Sequence, residues 1–192
     1  LPPTVLHKNG LIRENDSVIF FHFRTDRMRQ LVVKLYERIT TLHMVSMIPY
    51  GIRVPITPAF DRETLVHHLS EVLSDCGIHH VKITETLKYP HLSYFFNGTR
   101  EEPYPKEARR EIPSPTVQRL DTAPHMSALK ITQMAEQELG RYPVILMNYA
   151  NPDMIGHTGN LEAVIEACAF VDSMLNRLVP KAREAGYEVI IT

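Results

Sequence analysis

Short apolar runs alternate with amphipathic stretches along the chain. "DSVIFFHF", residues 16–23, is apolar, aromatic and β-branched, which predicts a buried strand. Residues 26–38 carry apolar side chains at helical spacing and predict a helix, and "HMVSMIPYG", residues 43–51, predicts a strand that runs into a turn. Residues 51–60 hold two prolines and no clear period. Because proline disfavours helices and central strands, this segment is interpreted as a connector between domains.

Helical and strand patterns alternate after the connector. Residues 62–77, "RETLVHHLSEVLSDCG", predict a helix that Gly77 ends. "HHVKITET" at 79–86 and "HLSYFFNG" at 91–98 predict strands, the second of which ends in an Asn-Gly turn. Four prolines and many charges at 101–115 favour an extended surface loop.

The last third of the chain contains the strongest patterns. Ser127 is a candidate N-cap for a helix that reaches Leu139, and "YPVILMNYA" then predicts a central strand covered on both faces. A loop follows, and then an apolar stripe from Leu161 to Leu178 predicts a long helix. "GYEVIIT" at the end predicts one more strand. This alternation from residue 61 onward predicts an α/β domain with a largely parallel sheet.

Composition and charge narrow the function classes. The chain is 44% apolar and 22% charged, with a formal net charge of −1, so no bulk field attracts nucleic acid or an anionic membrane. No apolar run is long enough to span a membrane. Cys76 and Cys168 make neither a disulfide framework nor a zinc site, and Cys168 is expected to be a buried thiol in its helical stripe. The cytoplasm is the default compartment.

"NPDMIGHTG", residues 151–159, is the first candidate site. Asp153 and His157 follow the predicted central strand, and ligands of open α/β sheets bind beyond the carboxyl ends of strands. A carboxylate and an imidazole one helical turn apart can share a divalent ion. The spacing alone favours a polar turn instead, and two ligands are fewer than a catalytic metal site usually takes.

Two basic clusters are the other candidates. Arg24, Arg27 and Arg29 follow the first strand, where a planar guanidinium suits phosphate or carboxylate. The alternative is a solvated helix start in which Asp26 pairs locally. Lys88, at the end of a second strand, is placed to contact a phosphoryl oxygen, although an exposed loop lysine is the more common case.

Several long segments together resemble the cofactor-independent phosphoglycerate mutases of the alkaline phosphatase superfamily. The resemblance rests on "DSVIFFHFRTDRMRQL", "ITETLKYPHLSYFFNGTREEPYP", "IPSPTVQRLDTAPHMSA" and "NYANPDMIGHTGNLEAVIEACAFVD". It implies an internal fragment with two parts. Residues 1–58 would be the end of an inserted α/β phosphotransferase domain with its connector, and 59–192 part of a phosphatase-like metal-binding domain with a largely parallel sheet and flanking helices.

The resemblance also implies a reaction and its residues. A metal-activated serine would take the phosphoryl group from 3-phosphoglycerate and return it to the 2-hydroxyl, with two manganese ions, or other divalent ions such as magnesium or cobalt. Asp153 and His157 match two ligands of one metal, Lys88 matches the lysine on the transferring phosphoryl group, and Arg24 and Arg27 match the substrate arginines. The partner would be a small molecule, with no nucleic acid or membrane, and the intact enzyme would be a monomer.

Departures from the family pattern and competing interpretations remain. His22 stands where the family has Asn, and Pro90 stands where it has Ala. The family's nucleophilic serine and the ligands of its second metal match no segment of this chain, so the chain alone is expected to be inactive. The alternatives are another phosphomutase, phosphatase or sulfatase of the superfamily, or a non-catalytic truncated module.

Overall fold

The computed structural model describes residues 4–61 and 65–192 and divides into two compact units, Leu1–Thr64 and Leu65–Thr192. Each unit is mixed α/β, and its strands form a three-stranded parallel sheet. The predicted α/β class with parallel sheets and flanking helices is therefore confirmed. The identities assigned to residues 1–58 and 59–192 as parts of two domains stay predictions.

The first unit has a sheet in the order β1-β2-β3. Its elements are β1 (Ser17–Phe20), α1 (Thr25–Arg38), β2 (His43–Ser46) and β3 (Thr57–Pro58). The predicted strands and the helix after β1 are confirmed. The proposed connector at 51–60 has more structure than expected, because it contributes the edge strand β3 and packs apolar side chains against the core. An edge strand tolerates Pro58, which has no N–H to donate.

The second unit has β4 at the centre of a sheet in the order β5-β4-β6. Its regular elements are α2 (Leu69–Asp75), β4 (His80–Glu85), β5 (Glu107–Ile112), α3 (Ala128–Glu138), β6 (Val144–Met147), α4 (Asn151–Gly156) and α5 (Leu161–Glu184). Its core lies between the sheet and the two longest helices and contains Val81, Ile83, Ile112, Ile131, Ala135 and Leu178.

The helix predicted over residues 62–77 is shorter in the structure. Residues 62–64 lie outside the described residues, and α2 begins only at Leu69. His67 has a φ of 59°, which is a left-handed conformation incompatible with a continuing helix. The predicted stop is confirmed, because Gly77 has a φ of 70° and its N–H donates to the Ser74 carbonyl at 2.9 Å.

Two predictions between β4 and α3 were wrong. The segment 91–98, expected to be a strand, is a π-helix at His91–Phe95, in which Ser93 Oγ donates to the Tyr89 carbonyl at 2.6 Å. Its aromatic side chains raise strand propensity, but local helical hydrogen bonds prevail. The predicted loop at 101–115 contains β5. The four prolines of the segment lie outside Glu107–Ile112, and three charged residues of the strand, Glu107, Arg109 and Arg110, have ion-pair partners.

Three further expectations in the last third were wrong. Strand β6 lies at an edge of the described sheet, and β4 is the central strand. Cys168 is exposed, because the face that α5 buries contains Ala163, Ala167 and Met174 and shares only Leu178 with the predicted stripe. Among the described residues, 187–192 form no strand and instead border a groove beside β6. None of the helices described has both the length and the apolar character that crossing a membrane requires.

Candidate metal centre

Three of the predicted site residues lie at one edge of the second sheet. Lys88 ends a short 3-10 turn, Thr86–Lys88, directly after β4. Asp153 lies in α4, and His157 is the residue that ends this helix. Because β4 and β6 are neighbouring parallel strands, the carboxyl ends of both strands lie on the same side of the sheet. The segment predicted as a loop is therefore a short helix, and this helix puts Asp153 and His157 one turn apart.

The carboxylate of Asp153 has two different neighbours. The Lys88 ammonium donates to Oδ2, and the imidazole Nε2 of His157 lies 3.6 Å from Oδ1. The Lys88 hydrogen bond, followed by the charges of Lys88, His157 and His91, holds the pKa of Asp153 below its usual range. The group is thus a carboxylate at neutral pH, which is the form that binds a metal ion.

This pair fits two positions of a divalent-metal site. Ligand atoms about 2.1 Å from one ion lie roughly 3 to 3.5 Å apart, close to the separation of Oδ1 and Nε2. His157 is 72% exposed and Asp153 is 52% exposed, so an ion has access from solvent. Across residues 4–61 and 65–192, no three His, Cys, Asp or Glu side chains are grouped so that they could hold a metal. The described residues therefore supply a partial ligand set.

A second histidine, His91, lies in the segment after Lys88 and interacts with Asp153 electrostatically. His91 begins the π-helix, and its charge lowers the pKa of Asp153. Its ring packs on Phe95 with centroids 5.6 Å apart. Pro90, one of the expected departures from the family pattern, is the residue before this helix and has a φ of −61°, an ordinary helical value. Proline therefore fits this turn without backbone strain.

Sequence reasoning missed two residues beneath Lys88. Glu85, the last residue of β4, is fully buried, and its Oε2 accepts from Ser114 Oγ at 2.8 Å. Ser114 Oγ in turn accepts from the Leu87 N–H at 3.1 Å. Burial raises the pKa of Glu85, and the hydrogen bonds from Ser114 and the Ser127 backbone oppose the rise. A glutamate at the end of an otherwise buried strand was the signal available in the sequence.

The arginine cluster lies in the first unit at the N-terminus of α1. Arg24 precedes the helix, and its Nε donates to Asp26 at 2.9 Å, which is the local pairing weighed as an alternative. Arg27 Nε lies 4.0 Å from the same carboxylate, and its side chain is 66% exposed. A helix N-terminus with two guanidinium groups suits an anion. Arg29, the third arginine of the cluster, donates from Nε to the Tyr50 carbonyl at 3.0 Å, so its guanidinium also holds the backbone of the first unit.

His22 holds the backbone at this arginine cluster. Its Nδ1 accepts from the Arg24 N–H at 3.0 Å, and its carbonyl accepts from the Tyr50 hydroxyl at 2.7 Å. Tyr50 is buried in the first core, so these bonds connect the start of α1 to rigid structure. An asparagine side chain can accept the same backbone hydrogen bond, so His22 is compatible with the predicted role of this segment.

Known proteins are similar in sequence to this chain over most of its length. A profile described as the Metalloenzyme superfamily matches residues 19–192. A 2,3-bisphosphoglycerate-independent phosphoglycerate mutase of Synechococcus sp. strain JA-2-3B'a(2-13) is 40% identical over 202 residues, covering 100% of this chain and 38% of the relative. The mutase of the same name from Rippkaea orientalis is 44% identical over 194 residues, covering 95% of this chain and 36% of the relative.

A solved structure shares the fold. A phosphoglycerate mutase from Leishmania mexicana, crystallised at low cobalt concentration, superposes with a TM-score of 0.66 at 28% identity. The similarity covers 78% of this chain and 28% of that chain. The chain thus spans well under half the length of the relatives that it matches.

Proposed function

The chain belongs to the Metalloenzyme superfamily, and from this premise we propose that it supplies part of the active site of a cofactor-independent phosphoglycerate mutase. The reaction would interconvert 3-phosphoglycerate and 2-phosphoglycerate, as in glycolysis and gluconeogenesis. The observation that carries the proposal is the contact between Lys88 and Asp153 with His157 beside them, in a chain similar along its length to named mutases. A metal ligand pair and a phosphoryl-binding cation then share one sheet edge.

Asp153 and His157 would hold one of two divalent ions, of which manganese is the expected species. When bound, such an ion supplies Lewis acidity and lowers the pKa of a coordinated nucleophile. The superfamily match and the cobalt named for the Leishmania structure support the use of a divalent metal. The phosphoserine intermediate is part of the same proposal.

Lys88 would bind an oxygen of the transferring phosphoryl group. Its side chain is 15% exposed and its ammonium already contacts a carboxylate, so it lies where negative charge is stabilised. A compact ammonium is a suitable point charge for phosphate, and phosphoryl transfer depends mainly on positioning and charge neutralisation. Arg24 and Arg27 would hold the anionic groups of phosphoglycerate through their planar forks.

The compartment and assembly belong to the same proposal. Both Cys76 and Cys168 are free and exposed, which suits a reducing compartment such as the cytoplasm. The partner would be phosphoglycerate itself, and the intact enzyme would act as a monomer.

A segment exchange tests the proposal and its main alternative. The segment of the Synechococcus mutase that matches this chain is replaced by the chain, and the products formed from 3-phosphoglycerate with manganese are followed by phosphorus NMR. The expected product is 2-phosphoglycerate. Release of inorganic phosphate without 2-phosphoglycerate would instead favour the phosphatase alternative. A folded chimera with neither product would contradict the proposed function.

A further inference from the structure

A short hydrogen-bond chain runs from a buried carboxylate to the turn that carries Lys88. Glu85 is 0% exposed, and its Oε2 accepts from Ser114 Oγ at 2.8 Å. The same Ser114 oxygen accepts from the Leu87 N–H at 3.1 Å. Leu87 is the middle residue of the turn Thr86–Lys88, so one hydroxyl joins a rigid strand end to the residue before Lys88.

The Ser114 segment is itself fixed on the opposite side. Ser127 Oγ donates to the carbonyl of Pro113, the residue before Ser114, at 2.7 Å. Ser127 stands at the start of α3, which packs against the sheet. The Ser114 segment is therefore fixed on both sides, because β4 holds the Ser114 hydroxyl through Glu85 and Ser127 at the start of α3 holds the preceding carbonyl.

We propose that Ser114 is a positioning residue that sets the place of the Lys88 ammonium against Asp153. A hydroxyl donor stabilises a buried carboxylate. The oxygen of the same hydroxyl has a free lone pair, which accepts from the Leu87 N–H of the turn. Without it, the Leu87 N–H loses its acceptor, and the turn between β4 and the π-helix is less restrained. The role in catalysis rests on the proposed mutase function, whereas the effect on Lys88 does not.

Acylation of lysines by a water-soluble N-hydroxysuccinimide ester, quantified by mass spectrometry, tests the positioning in the metal-free 192-residue chain. In Ser114→Ala, the Lys88 rate relative to exposed Lys34 should rise about fivefold, which is the population change for one lost hydrogen bond. Ser114→Thr keeps the hydroxyl and should stay within twofold of the parent. Ser173→Ala, which removes an exposed helical hydroxyl, is the matched control. An unchanged Lys88 rate in folded Ser114→Ala would overturn the proposal.

Kinetics of the chimera separate this inference from the proposed function. Ser114→Ala should lower kcat for 3-phosphoglycerate about fivefold with KM within twofold, and Ser114→Thr should restore kcat. If Ser114→Ala raises KM alone, the positioning role in catalysis is wrong. If the parent chimera has no mutase activity while Lys88 labelling responds as expected, the function fails and the positioning stands.

Discussion

At the residue scale, the carboxylate of Asp153 contacts two side chains. One oxygen accepts a hydrogen bond from the Lys88 ammonium, and the other lies beside the His157 imidazole. The sequence could predict Asp153 and His157 as a pair, because a four-residue spacing aligns side chains on a helix. It could not predict from spacing alone that Lys88, 65 positions away, meets Asp153. That contact depends on β4 and β6 being neighbours.

Removing either predicted ligand should weaken metal binding without unfolding the protein. Asp153 and His157 are both about half exposed or more, so Asp153→Ala and His157→Ala create no buried cavity. We expect the affinity for Mn²⁺, measured by calorimetry on the chimera, to fall at least roughly tenfold. Asp172→Ala, which removes an exposed carboxylate on α5, should leave it unchanged. Equal affinities in all variants would refute the ligand roles.

Arg27→Lys should impair substrate use more than metal binding. Lysine keeps the charge but cannot form the bidentate fork, so kcat/KM for 3-phosphoglycerate in the chimera should fall roughly tenfold. Arg38→Lys, an exposed change in the last turn of the same helix, is the matched control. An unchanged kcat/KM in Arg27→Lys would remove Arg27 from the substrate site.

At the element scale, the proline and charge content of residues 101–115 predicted a loop where the structure has β5. Its segment reads as a charged loop, yet Glu107 is buried between Lys82 and Arg109, with oxygen–nitrogen distances of 3.4 Å and 2.6 Å. Burial alone raises the pKa of Glu107, but the bonds from Arg109 and Asn97 and the charge of Lys82 lower it overall. Such pairing depends on partners distant in sequence, so local propensity could not predict it.

Glu107→Gln should destabilise the second unit strongly. The change leaves Lys82, which is 2% exposed, without its carboxylate partner. Breaking a buried pair from one side costs about 3 kcal/mol or more, which urea unfolding would measure as a lower free energy of unfolding. Glu111→Gln on the same strand is exposed and should change this free energy by less than about 0.5 kcal/mol. Similar losses for both variants would contradict the network.

The stabilisation that the ion pairs between α3 and α5 provide should depend on pH. Glu136 on α3 accepts from Arg177 and Lys181 on α5, and the Arg177 hydrogen bond is the main cause that lowers the Glu136 pKa to about 2. A carboxylate pKa lower in the folded state stabilises the fold above pH 4.5 and loses this effect as pH falls toward 2. Glu136→Gln should therefore cost about 1 kcal/mol at pH 7 and less at pH 3.

Urea unfolding at both pH values measures this difference. Glu162→Gln, an exposed glutamate in the first turn of α5, is the control and should show no comparable pH dependence. A cost of Glu136→Gln that is the same at pH 7 and pH 3 would contradict a lowered pKa of Glu136 in the folded state.

At the scale of the whole molecule, the sequence predicted the α/β class, the order of most elements and the edge of the sheet that carries the candidate site. Apolar periodicity is the pattern that predicts long helices such as α5. Periodicity could not predict that Cys168 is exposed, because α5 is apolar on more than one face. It also could not predict that β4 is the central strand, because an apolar strand sequence does not show how many neighbours the strand has. The Glu85–Ser114 chain likewise joins segments that meet only in the folded protein.

The rate of 2-phosphoglycerate formation by the chimera tests the central claim most directly, because it asks whether this chain can supply its share of a mutase active site. With manganese and 3-phosphoglycerate, the parent chimera should turn over, and the Asp153→Ala chimera should be at least about a hundredfold slower. Equal rates for the two chimeras, or no turnover by a folded parent chimera, would contradict it.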